Sequence, residues 1–105
     1  MAEKGYRVIV SKQAAQMLVA HAAFLAKVSA DAAERLTAEF EENANSLAQM
    51  PHRGRWLEGE PIPYQKYRYL IFGRWYLLVY QVSADTVYID HVIDSRQDYR
   101  WLFEK

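Results

Sequence analysis

A chain of 105 residues that is 51% hydrophobic, 14% aromatic and 25% charged is too apolar for disorder and has room for one domain, 1–105, whose folding removes roughly two thirds of the unfolded surface from water. Thirteen Lys and Arg balance thirteen Asp and Glu, which excludes a general attraction to nucleic acid or anionic lipid as the basis of function. The lack of cysteine excludes disulfides, thiol nucleophiles and cysteine-based metal sites, and without a signal-like start or a membrane-length apolar run the expectation is a cytoplasmic protein with no membrane partner.

Tyr6 to Val10 is short and β-branched, bounded by Gly5 and Ser11, and predicts a strand. Ser11 is placed to cap a helix in which Ala14, Leu18, Ala22 and Leu25 recur at helical spacing, with Met17, His21, Phe24 and Val28 as a second apolar row. Ser29 caps a second helix carrying Ala33, Leu36, Phe40, Ala44 and Leu47, and Pro51 ends it. Two helices with almost no linker predict a helical hairpin. Pro51 to Pro63 reads as a loop.

The period then becomes two. Tyr64 to Phe72 predicts a strand with Tyr67, Tyr69 and Ile71 on one face and Lys66 and Arg68 on the other. Gly73-Arg74 fits a two-residue type II′ turn, Trp75 to Val82 returns as a central strand, and Thr86 to Ile93 completes a meander after the turn at Ser83 to Asp85. The expected fold class is α+β, in the order β-α-α-β-β-β. A helical hairpin covers one face of an antiparallel sheet, and a short helix or tail follows Asp98.

Familiar catalytic spacings are missing, and His21, His52 and His91 are too dispersed to predict a metal site; no cofactor is expected. Charge is nevertheless uneven. Asp31, Glu34, Glu39, Glu41 and Glu42 face only Arg35 between Asp31 and Met50, whereas Arg53, Arg55, Lys66, Arg68 and Arg74 outnumber Glu58 and Glu60 between Pro51 and Tyr80. Lys66 and Arg68, joined by Arg74 from the turn, form either a solvated strand face or a patch that holds a phosphate. Tyr69 and Tyr80 among these cations are either core or stacking platforms for bases. In "DHVIDSRQDYRWLF", Asp90, Asp94, Arg96 and Asp98 either pair locally or leave Arg96 as a phosphate ligand, with Tyr99 or His91 moving a proton. Alternation puts His91 beside Val87 and Ile89, unless a bulge reverses it.

The helical hairpin, the helix end "LAQMP" followed by an Arg-containing loop, "YLLVYQV" at Tyr76 to Val82 and "IDHVIDSRQDY" at Ile89 to Tyr99 together resemble the RelE/ParE superfamily of type II toxin–antitoxin toxins, over nearly the whole chain. The resemblance implies a microbial-ribonuclease-like fold, a role in plasmid stabilisation and a cognate antitoxin that masks the working surface. For RelE-type members it implies metal-independent endoribonuclease action on mRNA in the ribosome, by attack of the 2′-hydroxyl, which stops translation. Lys66, Arg68, Arg96 and Tyr99 fall on that group's catalytic positions. Arg74, Tyr69 and Tyr80 become contacts to RNA or another target, and Trp101, Leu102 and Phe103 contacts to the antitoxin. Leu77 stands where ribonuclease-type members often carry Arg, and the neutral charge departs from their basic character. ParE-type members keep the fold, lack most of those residues and poison DNA gyrase.

Overall fold

Ser11 and Ser29 each turn a hydroxyl into the first turn of a helix, accepting from the backbone N–H of Ala14 (3.0 Å) and Ala32 (3.1 Å). They set the start of α1 (Lys12–Ala26) and α2 (Ala30–Ser46). These elements come from a computed structural model that describes residues 5–104. Around them lie β1 (Arg7–Val10), β2 (Arg55–Trp56), β3 (Arg68–Phe72), β4 (Tyr76–Ser83), β5 (Thr86–Asp94) and a closing 3-10 turn at Arg100–Phe103. No helix among the described residues is long and apolar enough to cross a membrane.

The five strands form one sheet in the order β1-β5-β4-β3-β2. It is mixed, where an antiparallel sheet was expected, because β1 lies parallel to β5 and Ser11 N–H donates to the Ile89 carbonyl at 2.9 Å. The long connection that a parallel pair requires is supplied in part by the helical hairpin.

Apolar residues at alternate positions build the layer under the helices. Leu36, Phe40, Ala44 and Leu47 of α2 and Ala14 of α1 pack on Leu70 and Phe72 of β3, Leu78 and Tyr80 of β4, and Val87, Ile89 and Val92 of β5. Leu78, at 0% exposure, pairs with Leu70 on one side and Val92 on the other. Phe24 and Val28 depart from the expected stripe and are exposed.

Three local differences reposition the expected site. First, the strand begins at Arg68 rather than Tyr64. Gln65 takes a φ of 48°, and the turn there removes Lys66 from the strand, while Arg55–Trp56 adds a short edge strand within the expected loop. Second, Phe72 pairs with Tyr76, leaving three residues in the hairpin instead of two. Gly73 and Arg74 both take positive φ, 55° and 84°. Third, Val79 faces His91 while Tyr80 faces Ile89, so Asp90 is the extra residue of a bulge. That single insertion moves His91 and Ile93 to the face opposite Val87 and Ile89.

The face away from the helices is therefore not an open basic surface. Arg68 alternates with Leu70 and Phe72 onto the helix side. Leu77, Val79 and Ile93 form a second apolar strip, covered by Leu57 and Ile62 of the loop and by Tyr67, Tyr99, Leu102 and Phe103.

Candidate functional site

Arg68 is held by the loop rather than presented from the strand. Its Nη1 donates to the carbonyls of Gly54 (2.8 Å) and His52 (3.2 Å), and its guanidinium lies 3.9 Å from the Trp56 ring centroid. A planar fork with several donors satisfies loop carbonyls and stacks at the same time. The same loop is anchored from below, where Gly54 N–H donates to the Tyr80 hydroxyl at 3.0 Å. Tyr80 is 0% exposed, and burial raises its pKa, so this ring is a core post and not a platform for a base. Tyr69 packs half-buried against the second apolar strip.

Arg96 belongs to another place. Its Nε and Nη2 form a fork on the Asp94 carboxylate at 3.0 and 2.7 Å, and its backbone N–H also donates to Asp94 at 3.0 Å. Asp94 is nearly buried at the end of β5, and the hydrogen bond from the Arg96 side chain holds its carboxyl below the usual carboxylate range. The Arg96 guanidinium sits 4.0 Å from the Trp75 ring centroid, with that of Arg74 at 5.4 Å. Trp75 Nε1 is buried and has no hydrogen-bond partner among the described residues. Beside this stack lies a cavity of about 500 Å³ lined by His21, Phe24, Tyr76, Asp94, Arg96 and Gln97. Its His21 Nε2 donates to the Val92 carbonyl, 3.0 Å away.

The acid–base candidates lie on the second sheet face. His91 is 8% exposed, and its ring lies between Tyr67 (centroids 6.0 Å apart) and Phe103 (5.0 Å). Burial lowers its pKa against the opposing pull of Asp90. Tyr99 packs against the second apolar strip, as do Leu102 and Phe103. Those last two residues, expected to meet an antitoxin, are thus engaged within the chain, while Trp101 is 64% exposed. Lys66 is exposed in its turn, 5.4 Å from the Tyr67 centroid.

The structure accordingly does not bring Arg68 and Arg96 to one point, while Lys66 and His91 flank the Tyr67 ring and Tyr99 packs on the same apolar strip. Arg68 pairs with Tyr80, whereas Asp94, two residues before Arg96, pairs with Tyr76. These positions are four residues apart on β4, roughly 13 Å along the strand. Phosphate cleavage requires cations and proton-transfer groups converging on the same few atoms. What does converge is Arg74, Trp75 and Arg96 at the hairpin end. Local pairing of Arg96 with Asp94 was one of the expected alternatives, whereas Trp75 was not anticipated as the ring on which Arg96 stacks.

A family model described as the ParE toxin of the type II toxin-antitoxin system parDE matches residues 8–99. The chain belongs to the ParE toxin family. A search of curated proteins finds no match. Among solved structures, a chain of the chromosomal ParDE TA system from P. aeruginosa is similar in fold, with a TM-score of 0.66 at 19% identity. The match covers 85% of this chain and 95% of that one.

Asp94 supplies a test of the hairpin-end geometry. An acid whose pKa is depressed by folding stabilises the fold above its unfolded value, ~3.9, and loses that contribution as pH falls through the lower folded value. Asp94→Asn is expected to cost roughly 1–3 kcal/mol at neutral pH. It should also flatten the loss of stability between about pH 5 and pH 2, as read by urea unfolding across that range.

Proposed function

We propose that this chain acts in the cytoplasm as a single toxin domain of the ParE type, inhibiting DNA gyrase by binding it, and that a cognate antitoxin holds it inactive. The observation that carries this reading is the separation of the two expected cationic ligands, Arg68 and Arg96, each already committed to partners within the chain. Arg68 supports the loop, Arg96 is forked on Asp94, His91 and Tyr99 are packed on the second sheet face, and Lys66 is exposed in a turn beside the Tyr67 ring. Ribosome-dependent mRNA cleavage requires these groups together, so it is the weaker reading. Arg74 and Arg96 about Trp75 become contacts to the target, and exposed Trp101 a contact to the antitoxin.

The experiment is supercoiling of relaxed plasmid by purified gyrase with increasing amounts of the purified chain. A dose-dependent loss of supercoiled product is expected, relieved by the co-expressed antitoxin. Full supercoiling at a large molar excess of a folded chain would count against gyrase as the target.

A further inference from the structure

His91 is a buried titratable group that inhibition by binding leaves without a role. It sits immediately after the bulge at Asp90, where β5 changes face. The Phe103 ring meets it at 72°, in edge-to-face contact, and Tyr67 flanks it at 56°. From α1, Gln13 Nε2 lies 3.1 Å from Nδ1. An amide nitrogen only donates, so Nδ1 accepts and the imidazole is neutral, with its proton on Nε2.

We propose that His91 is a pH-operated latch for the C-terminal turn, holding Arg100–Phe103 on the second sheet face while neutral and releasing it when protonated. Protonation sets an N–H at Nδ1 against the Gln13 amide protons. Turning that amide to offer its oxygen would move the nitrogen away from Met17 Sδ, 3.9 Å off. It also puts a charge on a ring that is 8% exposed between Phe103 and Tyr67, where the lost hydration is costly. The turn has little else to hold it. Leu102 N–H to the Tyr99 carbonyl (3.1 Å), Glu104 N–H to the Trp101 carbonyl (3.3 Å) and the exposed Arg100–Asp98 pair are all local, so packing of Tyr99, Leu102 and Phe103 fastens it to the sheet.

The groups around the ring fix the direction of the switch. On β5, Asp90 favours protonation, but its carboxylate is bound by Gln81 Nε2 at 2.7 Å. α1 contributes uncharged Gln13, the loop contributes the Tyr67 phenol with Lys66 near its ring, and the C-terminal turn contributes Phe103. Burial outweighs Asp90 and lowers the pKa of the latched ring. The latched state is therefore fully favoured above the ordinary value of ~6.5, and release grows as pH falls below it, by up to about tenfold per pH unit. Release uncovers Leu77, Val79 and Ile93.

Amide hydrogen exchange on the full chain between pH 7.5 and 5.0, corrected for intrinsic rates, tests this. Protection at Leu102 and Glu104 should fall about tenfold while Leu78 and Val92 in the sheet stay protected. His91→Leu should abolish the pH dependence, as should His91→Gln, which keeps a polar partner for Gln13 and covers the case in which Leu misfolds. Flat protection in the unmodified chain, the same fall in a folded variant, or simultaneous loss at Leu78 and Val92 would each overturn the latch. None of these outcomes bears on gyrase as the target.

Discussion

Gly54→Ala is expected to lower the unfolding free energy by about 3 kcal/mol, one of the two largest single-residue effects anticipated in this protein. A Cβ at position 54 would lie 2.6 Å from the Tyr80 hydroxyl and 2.8 Å from the Tyr69 carbonyl. Neither can retreat cheaply. Tyr80 is fully buried in the central strand, and the Tyr69 carbonyl belongs to β3. Displacing the loop instead breaks the Gly54 N–H to Tyr80 bond and the Arg68 bond to the Gly54 carbonyl together, leaving buried polar groups unpaired. Urea unfolding should show a lower midpoint with an unchanged slope, since the same surface is exposed on unfolding. A change below about 1 kcal/mol would mean that the loop moves away without loss of these bonds.

Leu78→Ala is the second. Leu78 is at the centre of β4, the middle strand of five, flanked by Leu70 and Val92 and roofed by the helices. Strands on both sides prevent the backbone from collapsing into the space left behind, so the cavity cost adds to the lost transfer energy. A loss of about 3–4 kcal/mol is expected, measured by the same unfolding experiment. Because 5–15 kcal/mol is the usual total for a small domain, this change alone brings the chain close to unfolding on warming.

The helices and the meander were legible because their signals are local. Ser11 and Ser29 carry capping hydroxyls, the apolar spacing from Leu36 to Leu47 is helical, and β4 is a nearly continuous apolar run. The parallel placement of β1 was not legible, since a strand's direction depends on which edge its crossover returns to. Nor was the bulge. One extra residue at Asp90 leaves the composition of β5 unchanged yet sends His91 to the other face. The two-residue strand Arg55–Trp56 is too short for any periodicity to reveal.

The candidate site was less legible for a related reason. Lys66 and Arg68 look like a pair only if the strand is continuous through Gln65, and its φ of 48° ends that continuity. Arg68 then finds its partners at His52 and Gly54, 16 and 14 residues away, contacts to backbone carbonyls that no side-chain motif encodes. Arg96 and Asp94 were visible as neighbours, but Trp75, which carries the Arg96 stack, arrives from the β3–β4 hairpin. Arg68 and Arg96 thus fasten a loop and a strand end, and their sequence spacing resembles part of a catalytic set without its geometry.

That conclusion is tested most directly by mapping mRNA 5′ ends across the transcriptome after the chain is induced without an antitoxin. Growth should stop with no new cuts within translated codons, and a chain carrying Tyr99→Phe should arrest growth as the unmodified one does. New in-frame cuts that disappear with Tyr99→Phe would contradict it, because they would require the separated residues to assemble into a working ribonuclease site.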